Sequence, residues 1–160
     1  MNYKPLIIQQ LALPEESAFD LLNRDRFNSF HYWCRYLGYA ELISDKDLVP
    51  DPTVALRRLL PQAMGPDRES AILPLLGRLA RLTPVFESGR IRRELEADAK
   101  PDFQREPQRL SQSTSFALFR LEQEGLVKLE ARSDAQALIL DLGADAPRRI
   151  SHLEVVGKFS

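Results

Sequence analysis

Twice in this chain an amphipathic stretch runs into a glycine and comes out with the alternation of a β-strand. FHYWCRYLGYAEL does so at Gly38 and ALFRLEQEGLVKL at Gly125. A helical period of 3.6 and a strand period of 2 cannot share one element. Glycine is the residue that most readily ends a helix in the left-handed conformation. Each site therefore demands helix, stop and strand in that order, although the residue identity between the two stretches is negligible. A polar turn and a second strand-like run follow each time: SDKD then LVPDP, and RSDAQ then ALILDL.

Each of these units is preceded by a shorter helix. In the first, PEESAFDLLN opens with proline and two glutamates, which suit a helix N-terminus, and turns Phe19 and Leu22 inward. The opening LIIQQLAL is apolar but too short for periodicity to separate helix from strand. In DRFNSFHYWCRYLG, the residues Phe27, Phe30, Trp33, Cys34 and Leu37 fall on one helical stripe, which predicts a buried face. Tyr32 and Tyr36 lie four apart and off that stripe, so they are the aromatics expected at the surface. PTVALRRLLPQAM restarts a helix with Pro52 at its first position, burying Val54, Leu56, Leu59 and Leu60.

The second unit opens with ESAILPLLGRLARL, whose Leu73, Leu76, Leu79 and Leu82 keep near-helical spacing despite Pro74. TPVF reads as a β-like connector. Ser88 is placed to cap SGRIRRELEAD, with Ile91 and Leu95 inward and three arginines outward. Two prolines break DAKPDFQREPQR into a loop. The helical stripe resumes after Ser111, and ISHLEVV is a third strand candidate after LVKLEAR and ALILDL. The expected fold is α+β, mainly helical, with two blocks in tandem, residues 1–64 and 65–160, each made of helices followed by a β-hairpin. A block of that size has a marginal core alone, which favours two packed together.

Composition narrows the function. Hydrophobic residues at 44% and charged residues at 28% describe a globular chain. The net charge of −1 gives no general attraction to phosphate backbones. Residues 1–64 carry 7 basic and 8 acidic side chains, 65–100 carry 7 and 6, and 101–160 carry 8 and 9, so no segment stands out as basic. One cysteine and two histidines exclude an internal disulfide and the usual four-ligand zinc site. No apolar run approaches a membrane span, and KPLIIQQLALPEE is too short and too soon acidic for a signal peptide. The expected setting is the cytoplasm of a bacterial-type cell, with no membrane partner.

Catalytic constellations are missing from the sequence. His31 and Cys34 lie one turn apart, but Cys34 falls on the apolar stripe, where a thiol is inert. His152 stands alone in a strand. DKDLVPD lacks the glycine and glutamate of a calcium loop. No glycine-rich phosphate loop or nucleophile elbow is present. The chain is expected to be non-enzymatic and to use neither cofactor nor metal.

The helix, helix, hairpin order is that of a winged helix-turn-helix. Residues 110 to 129, LSQSTSFALFRLEQEGLVKL, resemble the recognition helix and first wing strand of winged-helix regulators, particularly the multiple-antibiotic-resistance type. The features that carry the resemblance are Leu110-Ser111, the Ser113-Thr114-Ser115 helix start, Leu118 and Leu121 as core, Glu122 with Gly125, and Leu126-Val127 entering the strand. It extends over roughly residues 70–142 and implies double-stranded DNA as partner. It places Gln112, Ser113 and Ser115 toward base edges, and Arg132 with Ser133 and Asp134 at the wing turn. Phe116 departs from the basic residue usual in such a helix, and RSDAQA departs from a basic wing.

Arg92, Arg93, Arg105 and Arg109 would flank the start of that helix and supply a local positive patch. The alternative for the same arginines is a solvated face paired with Glu94, Glu96 and Asp98. These residues yield two functions: DNA binding through the helix that begins near Ser111, or a protein–protein interaction subunit of a larger complex. The second would use winged-helix surfaces and Tyr32 and Tyr36, with a protein partner or a homo-oligomer as its product.

Overall fold

The computed structural model describes residues 24–44, 47–101, 104–143 and 147–159, so LIIQQLAL and the helix expected in PEESAFDLLN lie outside the described residues. In chain order these residues form α1 (Arg24–Tyr36), β1 (Ala40–Leu42), β2 (Leu48–Pro50), α2 (Thr53–Met64), β3 (Glu69–Ala71) and α3 (Ile72–Leu82). There follow α4 (Arg90–Asp98), α5 (Gln112–Gln123), β4 (Val127–Glu130), β5 (Leu138–Leu140), β6 (Arg148–Ile150) and β7 (His152–Val155). The class is α+β, with helices carrying most of the ordered chain and short strands gathered in small antiparallel sheets. None of these helices is long and apolar enough to cross a membrane.

The first handover has the expected form. Gly38 sits at φ +80°, and its N–H and that of Tyr39 bond back to the carbonyls of Arg35 and Cys34 at 2.9 and 2.8 Å. The chain then enters an antiparallel pair with Ala40 opposite Pro50 and Leu42 opposite Leu48. A side chain at Gly38 would also meet Val54 Cγ1 and the Ala55 nitrogen, each at 2.8 Å. Burial on α1 corrects the expected inward stripe: Phe30, Trp33 and Leu37 are exposed and Cys34 is half-buried. The main contact of α1 is with β1, so no described element stands opposite the stripe. Tyr32 and Tyr36 are exposed as their spacing predicts.

The second handover keeps its helix and its glycine but not its hairpin. Gly125 lies at φ +69° and Leu126 N–H bonds to the Leu121 carbonyl at 3.0 Å. β4, however, does not pair with β5. The order is β3-β7-β4, antiparallel throughout, with Leu153 of β7 opposite both Ser70 and Leu129. β5 pairs instead with β6, Leu138 opposite Ile150. Alternation identifies a strand and its inward face but not its neighbour, and the ISHLEVV strand takes the central place.

Smaller corrections follow, the first of them from these pairings. Glu69–Ala71 is drawn into the sheet, so α3 starts only at Ile72, whose N–H bonds to the Ser151 carbonyl at 2.7 Å. Its inward stripe is accordingly Ile72, Leu75, Leu76 and Leu79, while Leu73 faces out. TPVF is a turn rather than β-like. Gly89, not Ser88, precedes α4 as its N-cap, because a side chain there would collide with the Pro84 carbonyl. α4 buries no residue completely, and Leu95 is exposed. Pro52 is the N-cap of α2 rather than its first helical residue.

Leu56, Leu60, Ala63 and Met64 of α2 pack in one apolar cluster with α3, the inward side of α5 and the sheet residues Val127, Leu129 and Leu153. Side chains on either side of residue 64 thus share a core.

Candidate nucleic-acid interface

α5 starts on a side-chain cap. Ser111 Oγ accepts from Thr114 N–H at 3.3 Å, satisfying one of the free amides of the first turn. The cap is itself held. Ser111 donates both its hydroxyl and, at 3.2 Å, its N–H to one carboxylate oxygen of Glu87. Glu87 is buried and sits at φ +38°, a conformation uncommon for a residue with a side chain. Arg105 pairs with its other oxygen and also with Glu96, at 3.3 Å, and Glu96 pairs with Arg92 at 2.8 Å. A run of charge-assisted bonds therefore ties α4 and the loop before α5 to the first turn of α5.

Above that turn lies a cleft of about 900 Å³. Gln112, Ser113 and Phe116 of α5 form its floor, Arg92, Gln104 and Arg105 one wall, and Val49 and Pro50 of β2 another. Asp141, just after β5, borders it as well. The β5–β6 ribbon reaches this position because Leu110 N–H bonds to the Ile139 carbonyl at 2.9 Å and Ile139 N–H to the Gln108 carbonyl at 2.8 Å.

The expected site residues divide. Gln112, Ser113, Arg92 and Arg105 come together at the cleft. Arg109 lies beside them, 3.4 Å from Glu106 and 3.9 Å from Asp141. Arg93 is exposed on α4, with no ion pair among the described residues. Ser115 does not face outward: it is fully buried, and its Oγ accepts from Asp141 N–H at 2.8 Å. That is the residue-level correction to the site, since helical phase turns Ser115 to the core beside Leu118. Arg132 is away from the cleft and pairs with Glu69 and Glu130. Tyr32 and Tyr36 stand on α1.

The basic residue on the outward side of α5, Arg120, is already paired. Phe116 is 47% exposed, with the Arg120 guanidinium 6.0 Å from its ring centre, and Arg120 also pairs with the buried Asp51. Nearby, the Arg148 hydrogen bond, reinforced by Leu129 N–H at 2.9 Å, holds the Glu122 carboxyl below its ordinary range. Burial pushes the Cys34 thiol up, which disfavours the reactive thiolate. Sequence reasoning missed Glu87 and Asp51, and nothing in the local pattern marks either as buried.

Residues 3–135 match the model of the DpdG-like family. The chain belongs to the DpdG-like family. The matched stretch includes α1, the cleft wall formed by α4, and α5 with its cap. No curated protein and no solved structure matches this DpdG-like chain.

Proposed function

We propose that this DpdG-like chain is a non-enzymatic, DNA-associated protein of winged-helix type, acting in the cytoplasm, with α5 as the recognition helix. The observation that carries the reading is the first turn of α5, where Gln112 and Ser113 open on a cleft walled by Arg92 and Arg105. The β3-β7-β4 order, with α2, α3 and α5 packed against it, supports the winged-helix assignment and a resemblance to the multiple-antibiotic-resistance-type regulators. It supports one such unit over residues 53–159, and α1 with the β1–β2 pair stands as the partial echo of a second. In this reading α5 enters a major groove, Gln112 and Ser113 meet base edges, and Arg92, Arg93, Arg105 and Arg109 meet phosphates.

Affinity in this arrangement is limited by the ion pairs. Arg92, Arg105 and Arg109 each have a carboxylate within 4.0 Å, so a phosphate must displace one negative group to gain another. Few counterions are released in net terms, and binding is weak with a shallow salt slope. Fluorescence polarisation of a labelled duplex between about 50 and 200 mM salt measures this. Binding at the low end that Arg93→Glu weakens for all sequences alike, and whose base preference Gln112→Ala alters, is the expected result. Absence of duplex binding at the low end overturns the reading.

The same ion pairs favour a second reading, a protein–protein interaction subunit of a larger complex that uses these surfaces and Tyr32 and Tyr36. Retention of a protein partner by the native chain and its loss from a Tyr32→Ala, Tyr36→Ala double variant is the result that reading requires.

A further inference from the structure

α1 carries a dense aromatic surface that the α5 reading does not use. Tyr32 and Tyr36 are each 62% exposed and Trp33 54% exposed, an unusual amount of ring area for a helix of a folded chain. The rings are ordered against one another. Tyr32 and Tyr36 lie one helical turn apart with planes 8° from parallel and centres 6.2 Å apart, and Trp33 stands edge-on to both at 5.6 and 5.7 Å.

Charge decides what kind of occupant suits such a surface. The helix holds three arginines against one aspartate. Arg35 is exposed on its last turn, and Arg58, also exposed, donates to the Tyr36 carbonyl at 3.4 Å from beneath the same end. A second copy of this helix would bring like charges together. An anionic occupant is attracted, and one with flat apolar faces matches the rings.

We infer that the Tyr32–Trp33–Tyr36 face of α1 is a stacking surface for unpaired nucleobases, a site for single-stranded nucleic acid distinct from the α5 cleft. Arg35, three residues on from Tyr32, and Arg58, bonded to the Tyr36 carbonyl, are the cations that a sugar-phosphate strand passing the stacked bases would meet. Aromatic rings interleaved with cations are the combination that binds single strands with little sequence preference, because every base offers a π face.

Trp33 is the only tryptophan of the chain, so its emission reports on this face alone. Titration of the full chain with a thymidine oligonucleotide of about ten or more residues at low salt is expected to quench Trp33 saturably, with quenching lost as salt rises. Tyr32→Ala and Tyr36→Ala each weaken binding about tenfold, and Tyr36→Phe retains it because the ring face persists. Arg35→Glu weakens it further. Gln112→Ala and Arg93→Glu, at the α5 site, leave the quenching unchanged, so failure here and failure of the duplex reading are separable. The circular dichroism of each variant shows that it remains folded. No quenching by the oligonucleotide overturns the inference, as does equal quenching of Trp33 by a blunt duplex. Displacement by an acidic peptide, with no loss in Tyr36→Ala, overturns it in favour of a protein partner.

Discussion

Two glycines at positive φ, Gly38 at +80° and Gly125 at +69°, show how far one residue's role depends on its surroundings. Gly125 has open space where a side chain would go, so Gly125→Ala carries only the left-handed backbone cost, about 1 to 2 kcal/mol. Gly38 carries that cost and also a collision with Val54 and the Ala55 backbone. Gly38→Ala is therefore expected to destabilise clearly more than Gly125→Ala in urea unfolding, and equal losses would contradict the packing described for Gly38. Glu122 sets a second test at this scale. Its carboxyl is held low by Arg148, and then by Leu129 N–H, so its contribution is present above the unfolded-state value near 4.5 and fades as pH falls through the lower folded-state value. Glu122→Gln should lower stability at pH 7. The difference from the native chain should shrink below about pH 4, as unfolding free energies across pH would show.

At the scale of elements, β7 is the piece on which the sheet depends. It bonds to β3 on one side and β4 on the other, and Leu153 at its centre is fully buried. Leu153→Ala should cost about 2 to 5 kcal/mol. A chain ended after residue 143 should lose cooperative unfolding altogether, which thermal circular dichroism can check. Helix positions were largely legible in the sequence, because Leu56, Leu60, Leu118 and Leu121 recur at helical spacing and Gly38 and Gly125 mark the stops. Strand partners were not: ALILDL follows LVKLEAR at hairpin distance, yet β4 and β5 join different sheets. Local alternation carries no information about a partner that arrives later in the chain, as β7 does for β4. That Gln112, Ser113, Arg92 and Arg105 would lie near one another was legible, and they line one cleft. Ser115 was misplaced because one step of helical phase separates an outward hydroxyl from a buried one, and Glu87 needed the tertiary fold to become a hub.

For the molecule as a whole, the question is whether residues 1–64 and 65–160 fold apart or together. Leu56 and Leu60 of α2 are almost fully buried in the cluster that contains Leu79, Leu121 and Leu153. Polar ties cross in the same direction. Arg120 pairs with Asp51, whose other oxygen accepts from Thr53 N–H at 3.0 Å at the start of α2, Arg57 pairs with Glu124, and the Tyr39 hydroxyl meets that of Thr83. A cut after residue 64 would strip α2 from that cluster and expose the apolar faces of α3 and α5, and cavities of that size cost several kcal/mol each. Domains of this length hold only about 5 to 15 kcal/mol in total. The intact chain is thus expected to unfold in one transition seen alike by far-ultraviolet circular dichroism and by hydrogen exchange at α5 and β7. Residues 65–160 alone should lack that transition and bind a hydrophobic dye, and a cooperative, equally stable 65–160 fragment would show that α2 is dispensable to the core.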